Sequence, residues 1–434
     1  MMQRKTLIRF LLPVALFAAS TSVASAADPI AIVGARVFTD QTTYTGWTVV
    51  IEGERIAAAG PDVAVPKGAR IVDAKGYFLT PGVTLPASAL GLVEIGLEQG
   101  TVDGSEQFGD DIRASFQVAE AYNPRSSVVP VTRMGGITSA IIAPVGGLIC
   151  GQAALVDLIG SRNGEAVQSS SIAVIAGVGG GGGSRATPLR RLEEVLTEAV
   201  HWPSNRDAHE RGQFRALHAS PEDLDALQPV VRGALPLVVF ANRASDIEAL
   251  IRLKERFDLD LVVAGGAEAW LVADLLAAAK VPVLLNPLDN LPGSFDNLAA
   301  REENAALLDG AGVEIAIGTL SRFGTHNARK ITQLAGNAVR AGLPWERAVD
   351  AIVAAPTRIF HLTDRGAIAP NQIANIVLWA GDPLELSTAP AKVWIRGTEV
   401  PLTSRQTELF KRYRALPGSP VPPLPLPTQN SNPK

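Results

Sequence analysis

The sequence predicts a mixed α/β chain in three stretches: a small β domain, a long run of alternating strand and helix, and a return to short strands. Three observations carry this. Between residues 30 and 80, short apolar runs are separated by Gly, Asp and Pro at strand-like intervals. From about Pro81, near-continuous apolar runs alternate with helical stretches, as expected for strands buried on both faces. After Phe360 the short-strand pattern resumes. Repeated βα units over this length fit a closed (β/α)8 barrel or a doubly wound sheet. With 434 residues, 47% of them apolar and 19% charged, the chain can build a large core and more than one domain.

In chain order, Arg4, Lys5 and Arg9 precede a short apolar run, Leu11 to Ala19, and then Ala24-Ser25-Ala26. This is the pattern of a secretory signal peptide cleaved near Ala26, so export to a bacterial periplasm is expected. The apolar run is too short to span a membrane. Strands are expected at Ile30–Val33, Trp47–Ile51, Arg55–Ala59 and Ala69–Val72, with Gly53-Glu54 as a hairpin turn. In the long middle stretch they are expected at Ile137–Ala143, Ala153–Leu158, Ile172–Ile175, Leu235–Ala241, Leu259–Val263, Val281–Leu285 and Val313–Ile317. Helices are expected at Leu189–Val200, Ser245–Phe257, Ala267–Ala279, Asn297–Asp309 and Ala328–Ala341, with Ser245 and Glu248 forming a capping box. Ile376–Trp379 and Val393–Ile395 return to strand, and a proline-rich tail follows.

Composition excludes several function classes. A net charge of -4 gives no electrostatic basis for binding nucleic acid or an anionic membrane. Cys150 is the one cysteine, which excludes an intrachain disulfide and a cysteine zinc cluster. The run Gly179 to Gly183 lacks the Gly-Lys-Ser/Thr of a phosphate loop and reads as a loop at a barrel rim.

Four stretches resemble the amidohydrolase superfamily, in particular its exported imidazolonepropionase-like group. They are Gly53-Glu54-Arg55-Ile56 with Val72 to Gly82; Arg133-Met134-Gly135-Gly136-Ile137-Thr138-Ser139; Pro236 to Ala244; and Gly366 to Pro370 with Ala374 to Leu384. The resemblance implies a metal-dependent (β/α)8 barrel over residues 81–362. Beside it would lie a β-sandwich made from residues 27–80 and 363–403, with a helical and proline-rich tail at 404–434. It also implies hydrolysis of non-peptide carbon–nitrogen bonds by a water activated on zinc or another divalent metal.

The ligand positions that the resemblance picks out depart from the pattern. The His-x-His pair that follows Thr80-Pro81-Gly82 reads Ala87 and Ala89. The His-Ala-His segment reads Phe240-Ala241-Asn242, and the position of the catalytic aspartate reads Leu320. No histidine lies between Asp28 and Val200, and no lysine between residues 76 and 253 could serve as a carboxylated bridge. The expectation is therefore that no metal is bound and hydrolysis is impaired. The chain would bind a small molecule in the old pocket, or serve as a non-catalytic subunit in a homo-oligomer or beside an active paralogue. The alternatives are an active hydrolase of cyclic amides or acyl-amino compounds, and a periplasmic scaffold.

The remaining polar residues offer weak pocket candidates: Glu94, Asn242, Glu268, Asp289 and His326. Glu94 leads a group with Glu98, Asp103, Glu106, Asp110 and Asp111 that reads as an acidic loop. His201, His209 and His218 do not share one helical face and read as part of a solvated excursion. His361 reads as structural. Ser88 with His326 could be imagined as a nucleophile pair, but nothing around Ser88 resembles a nucleophile elbow.

Overall fold

A computed structural model describes residues 28–105, 111–179, 183–320 and 325–414. The expected signal peptide, the proline-rich tail beyond Arg414, and Glu106 and Asp110 lie outside these residues. Two eight-stranded sheets organise the chain. The first contains β1 (Ile30–Thr39), β2 (Thr42–Glu52), β3 (Arg55–Gly60), β4 (Arg70–Asp73) and β5 (Phe78–Pro81). The second runs in sequence order through β6 (Val83–Ser88), β7 (Ile137–Ile142), β8 (Ile149–Asp157), β9 (Val167–Gly177), β10 (Leu237–Ala241), β11 (Leu261–Gly265), β12 (Val283–Leu285) and β13 (Ile315–Ile317). From the far end of the chain, β14 (Ile376–Trp379), β15 (Pro390–Ile395) and β16 (Thr398–Glu399) join the first sheet. There β14 pairs antiparallel with β5, and Trp379 donates its indole N–H to Thr80 at 2.9 Å.

The second sheet forms a nearly closed barrel beside the separate β domain, so the closed arrangement is the one adopted rather than the doubly wound sheet. Its first and last strands meet where Gly318 abuts Pro86. A Cβ at Gly318 would lie 2.8 Å from the proline ring, too close for any larger residue without a shift. Gly82 has a similar role where the β domain passes into the barrel, because a side chain there would run into Thr138 of β7.

Alternate residues from all eight barrel strands form one buried apolar cluster. It includes Ala87, Ile141, Leu155, Ile175, Val238, Val262, Leu284 and Ala316, one from each strand in turn. Their common side is the barrel lumen, filled as a packed core. Ile359 and Phe360 add to this cluster, and His361 beside them contacts Asp260 at 2.6 Å. Asp260 directly precedes β11, so this contact lies at the N-terminal end of the barrel.

Several expectations are corrected. Val83–Ser88 is a strand, and β8 begins four residues earlier than expected, at Ile149. The barrel is not all-parallel: β7, β8 and β9 form an antiparallel run, and the other paired neighbours are parallel. The β7–β8 connection, residues 143–148, is too short for the crossover that a parallel pair requires.

The helix expected from Ser245 spans Ala244–Phe257, and the Ser245 capping box is not formed. Instead Glu268 accepts the Ala244 N–H at 3.1 Å, so a later loop supplies the cap. The helix expected from Asn297 starts at Asn304. Asn297 accepts the Ser294 N–H at 2.7 Å, a local side-chain bond that competes with helix formation. The helix expected at Leu189–Val200 extends over Ala186–Glu210, held by buried Trp202, whose indole N–H donates to Asp225 at 2.9 Å. Among the described residues no helix is long and apolar enough to cross a membrane.

Candidate functional site at the barrel mouth

The parallel strands of a (β/α)8 barrel aim their C-terminal ends at one face, where the following loops build a site. In this chain that face gathers Ala87 to Ala89, Ala143, Asn242, Gly265 and Gly318 to Leu320. Because β8 runs in reverse, its first residues, Ile149 and Cys150, join the same face.

The floor of the mouth is apolar. Ala87, Ala143, Cys150 and Ala264 belong to the lumen cluster, with half-buried Phe240 and Leu320 packed against it. Ala89 is also buried but belongs to a different apolar cluster. Burial pushes the Cys150 thiol up to about 11, which keeps it protonated at neutral pH and makes it a poor metal ligand. Asn242 is exposed, with its side-chain oxygen turned to the Ala267 N–H at 3.4 Å. Methyl, phenyl and isobutyl groups cannot coordinate a cation, and these side chains do not fit a divalent metal. Among the described residues no group of three or more His, Cys, Asp or Glu side chains is placed to hold a metal ion.

The polar candidates are occupied in holding loops. Glu94 accepts hydrogen bonds from the Ser126 hydroxyl and, at 2.9 Å, from the Ser127 N–H, just ahead of the helix Val128–Arg133. Burial pushes its carboxyl up, but these hydrogen bonds outweigh it, and Glu94 sits below its ordinary value. Glu268 is buried and bridges the Ala244 and Ala299 N–H groups, at 3.1 and 3.0 Å. Asp289 pairs with the Asn286 amide at 3.2 Å. His326 is exposed and hydrogen-bonds Asn327 at 3.2 Å, while the Ser88 hydroxyl accepts the Leu90 N–H at 3.1 Å.

The histidines are dispersed. His201 and His209 lie on the helix Ala186–Glu210, where His209 packs edge-on against Trp202. His218 contacts buried Glu198 at 2.8 Å.

A cleft of about 300 Å3 nevertheless opens beside this face, lined by Asp111, Gly147, Gly177, Gly179, Arg185 and Arg191 among others. Arg185 pairs with Asp296 and lies 3.7 Å from Asp246. Burial pushes the Asp246 carboxyl above its ordinary value. Arg185 and Arg243 pull it down, whereas Asp296 and Glu268 push it further up. Of this cluster sequence reading singled out only Glu268, because its members come from the separate connections after β9, β10, β11 and β12.

It also missed a buried network at the opposite end of the barrel. Asp157, at the last residue of β8, is fully buried and accepts hydrogen bonds from Arg365 at 2.7 Å, Ser139 at 2.7 Å and Asn375 at 3.0 Å. The visible signal was an aspartate set in an apolar strand.

No family model matches the sequence. The amidohydrolase tasK of Hapsidospora irregularis is 25% identical over 402 residues, covering 83% of this chain and 41% of that protein. The chain thus spans about two fifths of the length of the curated relative it matches. Among solved structures, an amidohydrolase from Thermotoga maritima is 25% identical, with a TM-score of 0.77 over 87% of this chain and 100% of its own. Molinate hydrolase, 19% identical with a TM-score of 0.55, covers 91% of this chain and 97% of its own, and bears on the fold alone. The lumen, the composite β domain and these likenesses agree: the chain has the fold of the amidohydrolase superfamily.

Proposed function

We propose that this chain is an exported, imidazolonepropionase-like amidohydrolase homologue that has lost hydrolysis by the metal route and keeps the barrel mouth as a binding surface for a small molecule. A role beside an active paralogue is a form of the same reading. One observation carries it: of the ligand positions Ala87, Ala89, Phe240, Asn242 and Leu320, four present only hydrocarbon, three of those four pack in or against the lumen core, and the Asn242 side-chain oxygen is turned to the Ala267 N–H. Four of the five positions have no donor atom with which to hold a Lewis acid that would lower the pKa of a bound water. The neighbouring cleft of about 300 Å3 has the lower range of ligand-pocket volume and carries both charge signs.

The test is metal analysis of the purified mature chain beside an activity screen on cyclic amides and short acyl-amino compounds. The expected result is metal well below one ion per chain and no turnover above background. Tightly held stoichiometric zinc, manganese or iron, with hydrolysis lost on chelation, would overturn the proposal.

One observation favours a second reading, hydrolysis through an altered site. Asp246 is a buried carboxylic acid whose proton is held more tightly than usual near the mouth, as general-acid catalysis requires. On that reading Asp246→Asn abolishes a metal-independent turnover that the wild-type chain displays.

A further inference from the structure

A cavity of about 250 Å3 opens at the end of the barrel opposite the mouth, in the seam with the β domain. One wall belongs to the barrel. Met134 and Gly135 directly precede β7, and Arg329, Lys330, Thr332 and Gln333 lie where the turn Thr325–Lys330 passes into the helix Ile331–Arg340. The other wall is the β14–β15 connection, with Glu385, Leu386 and Thr388. Two glycines let the walls come together. A Cβ at Gly135 would lie 2.7 Å from the Arg329 carbonyl oxygen, and one at Gly136, where φ is +81°, would meet the Trp379 ring at 2.5 Å.

The polar side chains of this cavity are uncommitted. Among the described residues Arg329, Lys330 and Glu385 form no ion pair, and the side chains of Thr332, Gln333 and Thr388 form no hydrogen bond. The mouth cleft differs: there Arg185 is paired with Asp296, and Arg191 lies 3.4 Å from Asp111. Met134, Leu386 and Pro390 supply the apolar part of the seam lining. A hollow between two domains, with a few polar groups set against an apolar lining, is the usual build of a small-molecule site.

We propose that the seam cavity binds a small zwitterion, an α-amino acid with an apolar side chain. The charges set the class. Two cations stand on the barrel wall, where the planar fork of Arg329 suits a carboxylate. The carboxylate of Glu385 comes from the other wall and suits an ammonium. A plain carboxylate would leave Glu385 opposing it, and a plain amine would sit beside two cations. The apolar lining receives the side chain. The volume falls below the roughly 300–1,000 Å3 of most ligand pockets, which limits the guest to about the size of one amino acid. Because the walls belong to different domains, such a ligand ties the barrel to the β domain and stabilises the folded chain by mass action. The inference is independent of what the mouth binds or hydrolyses.

The test is calorimetric titration of the mature chain with L-leucine up to millimolar concentration, beside isocaproate and isoamylamine. These two compounds lack the ammonium and the carboxylate respectively. Leucine is expected to bind saturably, and each analogue at least roughly tenfold more weakly, the scale of a lost charged hydrogen bond. Arg329→Ala/Lys330→Ala should weaken leucine by a similar factor. Glu385→Gln should weaken leucine and not isocaproate, which isolates the ammonium contact. All three side chains are exposed, so unchanged circular dichroism is expected. If the alanine pair does not fold, Arg329→Gln/Lys330→Gln replaces it. Absence of leucine binding overturns the inference, as does binding that the alanine pair leaves intact. So does a Glu385→Gln variant that weakens both compounds equally or neither. Binding that Arg185→Ala removes and the alanine pair retains belongs to the mouth cleft: it overturns this inference and leaves the reading of the mouth standing.

Discussion

The two ends of the barrel bury opposite things. At the mouth, where an enzyme of this fold would place ionisable ligands, the chain buries Ala87, Ala143, Cys150 and Ala264. At the other end it buries charge. Asp157 is surrounded by Arg365, Ser139 and Asn375, with Arg396 at 3.5 Å. Nearby, buried Asp350 binds Arg358 and lies 3.6 Å from Arg347. Burial pushes the Arg358 and Arg365 guanidiniums down, but the facing carboxylates more than offset this and raise both. A buried charge costs several kcal/mol to desolvate and persists only when it is fully paired. This chain meets that cost at the end that joins the barrel to the β domain, where Asn375 and Arg396 flank β14 and β15. In the floor of the mouth it buries hydrocarbon instead, and the buried carboxyls of that end, Asp246 and Glu268, sit in the connections around the floor. The polar design that remains serves assembly of the fold.

The largest effect expected from this contrast is at the seam. Asp157→Ala leaves buried Arg365 without its main partner and Ser139 without its acceptor, while Asn375 keeps only the Ser139 hydroxyl oxygen. The expected loss is about 3–5 kcal/mol in denaturant unfolding, with a smaller loss for Asp157→Asn, which keeps the size and part of the hydrogen bonding. A loss under about 1 kcal/mol for the alanine variant would mean that the seam is no more polar in energetic terms than a surface ion pair.

At the mouth the contrast is sharpened by restoring what the sequence lacks. Ala87→His forces an imidazole into a packed apolar lumen beside Phe240 and Cys150. Overpacking and an unsatisfied ring nitrogen are expected to cost about 1–3 kcal/mol, read as a lowered melting temperature. The pair Ala87→His/Ala89→His is expected to retain no stoichiometric zinc after dialysis. The two alanines lie in different clusters, Phe240 and Leu320 have no donor atom, and the Asn242 oxygen, turned to the Ala267 N–H, is the one neutral donor left to complete a coordination shell. Retention of zinc would show that the mouth is closer to a metal centre than its packing implies.

How much of this was legible follows the range of the interactions. The barrel and the composite β domain could be read because they rest on local apolar patterns and on the Thr80-Pro81-Gly82 entry, where β5 passes into β6. The missing His-x-His pair could be read because no histidine exists in that part of the chain. The reversal of β8 was not read, although its signal is local: the connection between β7 and β8 is shorter than a parallel crossover needs. The Asp157 network could not be read: Asp157 and Arg365 are 208 residues apart and meet only once the β domain is docked. Glu94, read as part of an acidic loop, and Glu268, a weak pocket candidate, show what they hold only once the N–H groups they accept from are placed.

The smallest effect lies at Glu94, on the mouth side but structural in its bonding. Its folded pKa is lowered, so its ionised form contributes stability above the unfolded carboxylate pKa. That contribution is lost as pH falls through the lower folded value. Glu94→Gln is therefore expected to cost about 0.5–1 kcal/mol at neutral pH, the scale of a weak helix cap. The difference from wild type should narrow as the solution is acidified below the ordinary carboxylate range. Urea melts of the two chains at neutral and acidic pH measure both quantities. A difference that stays constant with pH would show that Glu94 acts through shape and not through charge. A difference that widens on acidification would contradict the lowered pKa.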